Sequence, residues 1–127
     1  MTSAPSVSVL VLNRNGREHL KACLSSLLAL EYPAERLAIQ VIDNASTDDS
    51  IPLVREHFPN VDVLPLEANL GFAEAYNVAV GRASSEFVAI LNNDTRVDRR
   101  WLAELTSAAD RHSATAVASK ILDWTGD

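Results

Sequence analysis

The 127-residue chain is acidic, with 11 Lys and Arg against 17 Asp and Glu, a formal charge of −6 and 47% hydrophobic residues. Because affinity for duplex nucleic acid comes mostly from neutralising phosphates, this balance argues against nucleic acid as a partner. The hydrophobic content suffices for the core of one domain over residues 1–127. The sequence has no signal-peptide pattern and no apolar run near the roughly 20 residues that span a bilayer. We therefore expect a cytoplasmic protein without a transmembrane segment, with peripheral attachment to the inner membrane surface as the alternative.

Short apolar segments alternate with helical patterns along the chain. Five segments have the length and the β-branched or apolar content of strands, namely residues 7–12, 38–42, 61–66, 87–91 and 114–119. Between them, apolar residues recur at helical spacing in four stripes: Leu20, Leu24, Leu27 and Leu28; Ile51, Val54 and Phe58; Phe72, Tyr76, Ala79 and Val80; and Trp101, Leu102, Leu105 and Ala109. This alternation predicts a single α/β domain with a mainly parallel sheet flanked by helices.

Local signals predict where the helices begin and end. Asn15 has Glu18 three residues later, which is the spacing of a capping box, so Asn15 is the expected N-cap of the first helix. Pro52 fits only near the first turn of the second helix. Gly81 predicts the end of the third helix, and Asp98 is the expected N-cap of the fourth.

Three polar clusters directly follow predicted strands. They read "NRNG" at 13–16, "DNASTDD" at 43–49 and "NNDT" at 92–95. In open α/β sheets, ligands bind outside the carboxyl ends of the strands, near the point where the strand order reverses. The three clusters should therefore converge on one edge of the sheet and form a ligand site there.

Turn formation and helix capping explain part of these clusters without a ligand. Asn15 and Gly16 are common turn formers, and residues 46–49 supply caps and first-turn acids for the next helix. An Asx-type turn at 92–95 would need no ligand either. Asp43 lies too early to cap a helix, and a carboxylate at the rim of a buried strand needs a donor such as an amide N–H or a ring imide.

The familiar phosphate and zinc motifs are absent from the sequence. There is no G-x-x-x-x-G-K-[ST] and no G-x-G-x-x-G after a strand, which argues against P-loop and dinucleotide-binding enzymes. A polyphosphate ligand would then need a carboxylate that holds Mg²⁺ or Mn²⁺. Three histidines in different helical segments argue against a histidine zinc site: His19, His57 and His112. Cys23 lies within the first helical stripe and is expected to be a buried structural thiol.

The sequence resembles the N-terminal half of family 2 glycosyltransferases with the GT-A fold, enzymes that use nucleotide-sugars. Four segments carry the resemblance in order, and the resemblance extends over almost the whole chain. They are "VSVLVLNRNG" at 7–16, "VIDNASTDDS" at 41–50, "NLGFAEAYNVAV" at 69–80 and "FVAILNNDT" at 87–95. The Asn-x-Asp-Thr form of the last segment is similar to the subgroup related to bacterial rhamnosyltransferases.

The resemblance implies roles for four strand-end residues. Asp43 would accept a hydrogen bond from the imide N–H of uracil or thymine, and Asn13 would line the same nucleotide pocket. Asp94 would hold the Mg²⁺ or Mn²⁺ that bridges the diphosphate. Asn92 stands where many relatives have the first acid of the metal motif. An amide brings no negative charge, so Asn92 would contact the metal through water or contact the sugar instead.

The loop before the third helix completes the implied donor site. Asn69 and Gly71 lie just before this helix, where free backbone N–H groups would help to bind an anionic ligand. Many relatives have Arg where this chain has Tyr76, so one phosphate partner is missing. For Asn77, both packing and ligand contact are open, and we favour packing.

The implied reaction transfers a sugar from a UDP- or dTDP-linked donor to a hydroxyl of a glycan or lipid-linked acceptor, with inversion at the anomeric carbon. It needs a metal at the departing diphosphate and a carboxylate base for the acceptor proton. In the family the base comes from the C-terminal half, and neither Asp123 nor Asp127 matches it. We therefore expect the base beyond residue 127, and read the chain as the donor-binding half of a larger enzyme or a truncated form.

Two other function classes share this architecture. A non-catalytic nucleotide-sugar-binding or scaffolding module would keep the fold without the acceptor half. A receiver-type signalling domain also alternates strands and helices, but it requires acids at the end of the first strand. This chain has Asn-Arg-Asn there, which argues against a receiver.

Overall fold

Residues 3–125, the part of the chain that the computed structural model describes, form one parallel sheet flanked by α-helices. Within this range the elements are β1 Val7–Asn13, α1 Arg17–Leu28, β2 Leu37–Asp43, α2 Ser50–His57, β3 Asp62–Pro65, α3 Phe72–Arg82, β4 Phe87–Asn92 and α4 Trp101–Arg111, with a 3₁₀ turn at Ala34–Arg36. The predicted α/β class is confirmed, as are the first four strands and the four helices. No helix of the described range is long and apolar enough to cross a membrane.

The strand order is β3-β2-β1-β4, and every pairing is parallel. The central strand β1 pairs with β2 from Val7 to Asn13 and with β4 from Val7 to Leu12. The first three strands extend the sheet in one direction, and β4 then returns to the other side of β1. The strand order therefore reverses between β1 and β4, which is where open α/β sheets bind their ligands.

Helices cover both faces of the sheet because β1 is apolar on both faces. Val9 and Val11 belong to a buried cluster that includes α1, α2 and α4 residues. Leu10 belongs to a second cluster with Ile42 and residues of α3, as expected when successive strand residues point to opposite faces. Burying each of these side chains stabilises the fold by roughly 1.5–3 kcal/mol. The two clusters fix β1, and with it the direction of the loop that follows Asn13.

Not every residue of the predicted helical stripes is buried. Three of the predicted core residues are more than 40% exposed, namely Leu28, Phe72 and Val80. Leu28 and Phe72 are the last residue of α1 and the first of α3, so they lie at helix ends.

Of the four predicted helix boundaries, the one at Pro52 is confirmed and those at Asn15, Gly81 and Asp98 are wrong. Pro52 is the third residue of α2 and lies in its first turn, as predicted. Helix α3 continues through Gly81 to Arg82, because glycine costs only about 1 kcal/mol within a helix. Asp98 is not the N-cap of α4, which is Arg100. The Oδ1 atom of Asp98 instead accepts a hydrogen bond from the Arg100 N–H at 2.9 Å, which forms a separate turn before the helix.

The fifth predicted strand, Ala114–Ser119, is wrong. This segment leaves α4 through Ser113, whose φ is 48°, and it has no regular secondary structure. The Ala114 N–H donates to the Ala109 carbonyl at 2.9 Å, and residues 115–119 are exposed. Their small side chains alternate as in a strand but bury too little apolar area to hold the segment against the sheet.

Cys23 is fully buried in α1, as predicted. Desolvation by burial raises the pKa of its thiol from the ordinary 9.0 to about 11. At pH 8 the native thiolate fraction is then about a hundredfold below that of the unfolded chain, and the thiolate is the reacting form. We expect Ellman's reagent to label the native protein at least a hundredfold more slowly than the urea-unfolded protein. Stoichiometric labelling of the native protein within minutes at pH 8 would contradict this burial.

The same pKa shift has a consequence for stability. Because the folded-state pKa lies above the unfolded one, the protonated thiol stabilises the fold fully below pH 9, and this contribution is lost as the pH rises towards 11. A Cys23→Ala variant lacks the group. It should therefore lose less stability than the wild type between pH 8 and pH 11 in urea unfolding experiments.

Candidate functional site

The three polar clusters meet at the carboxyl edge of the sheet. The strand register places Asn13 beside Asp43 and Leu12 beside Asn92, so residues 13–16, 43–49 and 92–95 follow three adjacent strands. The predicted convergence is confirmed. It lies at the reversal of strand order between β1 and β4.

Asn13 lies at the centre of this edge and is fully buried. Its Nδ2 atom donates to Asp43 Oδ1 at 3.0 Å and to Ser46 Oγ at 3.3 Å. Its Oδ1 atom accepts from Asn93 Nδ2 at 2.9 Å. One amide thus joins β1 to the loop after β2 and to the loop after β4.

Asp43 is also buried, with 1% of its surface exposed. Its Oδ1 atom accepts from Asn13 and from Ser46 Oγ, the latter at 2.7 Å, and its Oδ2 atom accepts from the Ser46 N–H at 2.9 Å. The need for a donor is therefore confirmed, but the chain itself meets it. A buried carboxylate with three donors is stable without any ligand.

Asn15 is not the N-cap of α1, which is Gly16. Asn15 has a φ of 51°, a left-handed conformation that asparagine tolerates better than most residues. In this conformation its Oδ1 atom accepts from the N–H groups of Thr47 at 2.7 Å and Asp48 at 3.2 Å. The side chain therefore joins the loop after β1 to the loop after β2 instead of capping its own helix.

Gly16 is required for a steric reason. Its φ of −105° is open to any residue, but an added Cβ would lie 2.0 Å from Asn93 Nδ2 and 2.6 Å from Asn13 Oδ1. The Asn93 amide thus occupies the space that a side chain at position 16 would need.

Arg14 and Asn44 complete the network, and sequence reasoning missed both. The Nη1 atom of Arg14 donates to the carbonyls of Asn44 at 2.8 Å and Ala45 at 2.9 Å. Asn44 is 3% exposed, and its Oδ1 atom accepts from the Leu70 N–H at 2.8 Å while its Nδ2 atom donates to the Gly71 carbonyl at 3.2 Å. Asn44 therefore joins the loop before α3 to the rest of the site. The only sequence signal for it is its position directly after a buried strand.

The loop before α3 differs from the prediction in one respect. The Gly71 N–H, expected to be free for a ligand, donates to Asn69 Oδ1 at 3.0 Å. Gly71 has a φ of 78°, which explains why glycine occupies this position. Both residues are exposed at the start of α3. Asn69 can still reach a ligand with its own amide N–H₂.

Asn92 and Asp94 are both exposed at the carboxyl end of β4. The main chain around them is held from two sides. Thr95 Oγ1 donates to the Asn92 carbonyl at 2.7 Å, and Cys23 Sγ lies 3.8 Å from the same oxygen. Residues 93 and 94 form a turn, but the contact across it comes from the Thr95 hydroxyl rather than from an Asx side chain, and Asp94 is exposed.

The donor set at this edge fits a cation that arrives with its own ligands. Among residues 3–125 there is no cluster of three or more His, Cys, Asp or Glu side chains. Asp94 is a single exposed carboxylate. Such a position suits Mg²⁺ or Mn²⁺ bound to a diphosphate, because these ions keep water and phosphate ligands and use one or two carboxylates. His19, His57 and His112 are exposed and lie in or beside different helices.

Several other residues weighed for ligand contact lie elsewhere. Tyr76 is 4% exposed, and its hydroxyl donates to the Leu91 carbonyl at 3.0 Å. This hydrogen bond joins α3 to β4. Burial raises the pKa of Tyr76 above its ordinary value. Asn77 is exposed, so its predicted packing role is wrong. Asp123 is exposed near the end of the described range, and Asp127 lies outside it.

Two cavities lie away from this edge. One of about 400 Å³ lies between β4, α4 and residues 115–121 and is mostly apolar. The other, of about 210 Å³, lies near the start of β1, beside Ser6, Leu37 and Ser85. Neither is lined by residues of the three polar clusters. The chemistry at the carboxyl edge, rather than the size of a cavity, identifies the candidate site.

Comparisons with known proteins match most of the chain. The family model described as "Glycosyl transferase family 2" matches residues 6–127. Over 117 residues the chain is 27% identical to the poly(ribitol-phosphate) beta-N-acetylglucosaminyltransferase TarS of Staphylococcus aureus. The match covers 90% of this chain and 20% of TarS, so the chain spans about a fifth of that relative.

Solved structures of two glycosyltransferases are similar to the chain. The Staphylococcus aureus TarS structure in complex with UDP-GlcNAc has a TM-score of 0.77 and 28% identity, over 85% of this chain and 32% of that one. The mannosyltransferase PcManGT from Pyrobaculum calidifontis, solved with GDP-Man and Mn²⁺, has a TM-score of 0.70 and 30% identity, over 80% of this chain and 33% of that one.

A Gly16→Ala variant tests the packing at the centre of the site. We expect it to lower the free energy of unfolding by about 1–3 kcal/mol, since the Cβ would displace the Asn93 amide. Gly81→Ala is the matched control, because a Cβ there meets no atom within 4 Å and alanine favours the helix. This control should be neutral or stabilising by up to about 1 kcal/mol. Equal urea midpoints for the two variants would contradict the assigned packing.

Proposed function

Because this chain belongs to glycosyl transferase family 2 and has the GT-A fold, we propose that it forms the donor-binding half of a glycosyltransferase. The reaction would transfer a sugar from a UDP- or dTDP-linked donor to an acceptor hydroxyl, with inversion. One observation carries the proposal, namely the convergence of Asn13, Asp43 and the exposed Asp94 at the switch point of the sheet. The Asn-x-Asp-Thr form of residues 92–95 supports the rhamnosyltransferase-like subgroup. The cytoplasmic location remains a prediction.

Asp43 and Asn13 would receive the nucleobase. Asp43 Oδ2 accepts one hydrogen bond within the chain and keeps a second lone pair for an imide N–H. Because Asp43 is 1% exposed, the loop at residues 44–49 must shift when the base enters. The loop contains Ala45 at a φ of 59°, a costly conformation that a shift would relieve. The complex of TarS with UDP-GlcNAc supports uracil as the base.

Asp94 would hold the divalent cation that neutralises the departing diphosphate. A carboxylate at the end of β4, on a turn fixed by Thr95, presents an oxygen ligand without a preformed cage. Asn92, beside it, would contact the sugar or a metal-bound water. The structure of the mannosyltransferase with Mn²⁺ supports Mn²⁺ or Mg²⁺ as the cation. Asn69 would add an amide donor to the diphosphate.

The alternative is a non-catalytic nucleotide-sugar-binding or scaffolding module. Such a module would bind the donor through the same strand-end residues, Asp43 and Asp94, without transferring the sugar. Titration with UDP, dTDP and GDP, with and without Mn²⁺, followed by an assay for sugar transfer and donor hydrolysis, separates the two functions. Metal-dependent binding with neither transfer nor hydrolysis supports the module, whereas slow hydrolysis of the donor supports the enzyme.

The metal assignment predicts a specific loss in Asp94→Asn. We expect Mn²⁺ to strengthen UDP binding by the wild type and to do so at least tenfold less in the variant, because one charged ligand is lost. Asp110→Asn is the matched control, since it removes the same charge from an exposed position in the last turns of α4. Calorimetric titration with Mn²⁺ or with EDTA measures both. UDP binding by Asp94→Asn as tight as by the wild type in Mn²⁺ would show that the metal assignment is wrong.

The nucleobase assignment predicts a different pattern for Asp43. In Asp43→Ala, UDP binding should weaken by a similar factor with Mn²⁺ and with EDTA, because the lost contact is to the base and not to the diphosphate. The same calorimetric titrations measure this ratio. A loss confined to the Mn²⁺ titration would assign Asp43 to the metal instead.

A further inference from the structure

We propose that Asn93 is a positioning residue that couples the metal-binding turn at Asp94 to the nucleotide pocket at Asp43, through Asn13. This inference rests on the proposed function. Asn93 is the middle residue of "NND", and its side chain turns inward while those of Asn92 and Asp94 remain exposed.

The chemistry of Asn13 determines what position 93 must provide. The oxygens of Asp43 accept hydrogen bonds from Ser46 and Asn13, so the N–H₂ group of Asn13 faces Asp43, at 3.0 Å. The Oδ1 atom of Asn13 then faces β4, where it needs a donor because it is buried. Asn93 Nδ2 supplies that donor at 2.9 Å.

Gly16 lies beside the hydrogen bond between Asn93 and Asn13, where an added Cβ would be close to both amides. The 2.0 Å approach of a virtual Cβ at position 16 to Asn93 Nδ2 shows how closely the amide is enclosed. Because neighbouring Cα atoms are only 3.8 Å apart, anchoring residue 93 also fixes the main chain of Asp94. The Thr95 hydroxyl holds the other side of the same turn. The carboxylate therefore projects into solvent from an anchored main chain.

The hydrogen bond between Asn93 and Asn13 matters for ligand binding as well as for folding. A nucleotide whose base binds at Asp43 places its diphosphate and cation at a fixed distance from Asp43 along the carboxyl edge of the sheet. Asp94 contributes most when it already lies at that distance, since ordering it upon binding would cost affinity. Without the Asn93 anchor, the turn loses its connection to Asn13, while the bonds from Asn13 and Ser46 to Asp43 remain.

The test compares UDP affinity in Mn²⁺ with UDP affinity in EDTA, a ratio that we call the metal enhancement. In Asn93→Ala we expect the metal enhancement to fall about tenfold, while the affinity in EDTA stays within about twofold of the wild type. Asn60→Ala is the matched control, an exposed amide in the turn before β3. It should keep the wild-type values in both titrations.

Asn93→Asp keeps the shape of the side chain and decides the question if Asn93→Ala does not fold. Its carboxylate would face the Asn13 Oδ1 atom, or would compete with Asp43 for the Asn13 N–H₂ group if that amide turned over. We expect the metal enhancement to fall about tenfold and the affinity in EDTA to fall as well. Thermal unfolding of each variant shows whether it is folded at the titration temperature.

The possible failures are distinguishable. A wild-type protein that binds UDP no better in Mn²⁺ than in EDTA overturns the proposed function, and this inference with it. A wild-type protein with a metal enhancement that Asn93→Ala fully retains overturns the inference alone. An equal loss in both titrations of a folded Asn93→Ala assigns the residue a general structural role and also overturns the coupling.

Discussion

The hydrogen bonds of the buried Asn13 amide are the interaction on which the rest of the site depends. Its N–H₂ group donates to Asp43 and its carbonyl oxygen accepts from Asn93. One side chain therefore holds the loop after β2 on one side and the loop after β4 on the other. Asn13 is the last residue of the central strand, whose apolar residues are packed on both faces. The hydrophobic core therefore sets the position of Asn13, and Asn13 sets the positions of the loops.

Two further amides, Asn15 and Asn44, extend this arrangement across the whole edge. Asn15 joins the loop after β1 to the loop after β2, and Asn44 joins the latter to the start of α3. Asn15 and Ala45 adopt positive φ angles, which costs roughly 1–2 kcal/mol at Ala45 and less at Asn15. The network offsets that strain, since no buried side-chain polar atom within residues 3–125 lacks a partner. The hydrogen bonds of Asn93 and Thr95 hold the turn that carries Asp94 in place without a ligand, which lowers the ordering cost when a charged ligand binds there.

Much of the fold follows from local patterns in the sequence. Apolar runs and helical stripes identify four strands and four helices, and the polar residues after the strands identify the edge where they meet. Position after a strand was enough to single out Asn13, Asp43 and Asp94. The wrong predictions arise where one local sequence pattern is compatible with more than one structure. Asn15 has the spacing of a helix cap, but its side chain accepts hydrogen bonds from the loop after β2. The segment at 114–119 alternates like a strand but has too little apolar area to pack as one.

The contacts that define the site are not visible in the sequence. Asn93 and Asn13 are 80 residues apart, and only the parallel pairing of β1 with β4 brings them together. Gly16 resembles an ordinary turn glycine until the Asn93 amide is found in the space of its missing side chain. Such side-chain pairs depend on tertiary register, which no periodicity of a single chain encodes.

The central claim is that a nucleoside diphosphate and a divalent cation meet at this edge, and crystals grown with UDP and MnCl₂ test it most directly. Diffraction data at the manganese absorption edge locate the cation independently of the protein. We predict an anomalous peak in direct contact with a carboxylate oxygen of Asp94 and with the diphosphate, with the uracil ring beside Asp43. Manganese bound elsewhere, or UDP bound in the apolar cavity between β4 and α4, would contradict the account.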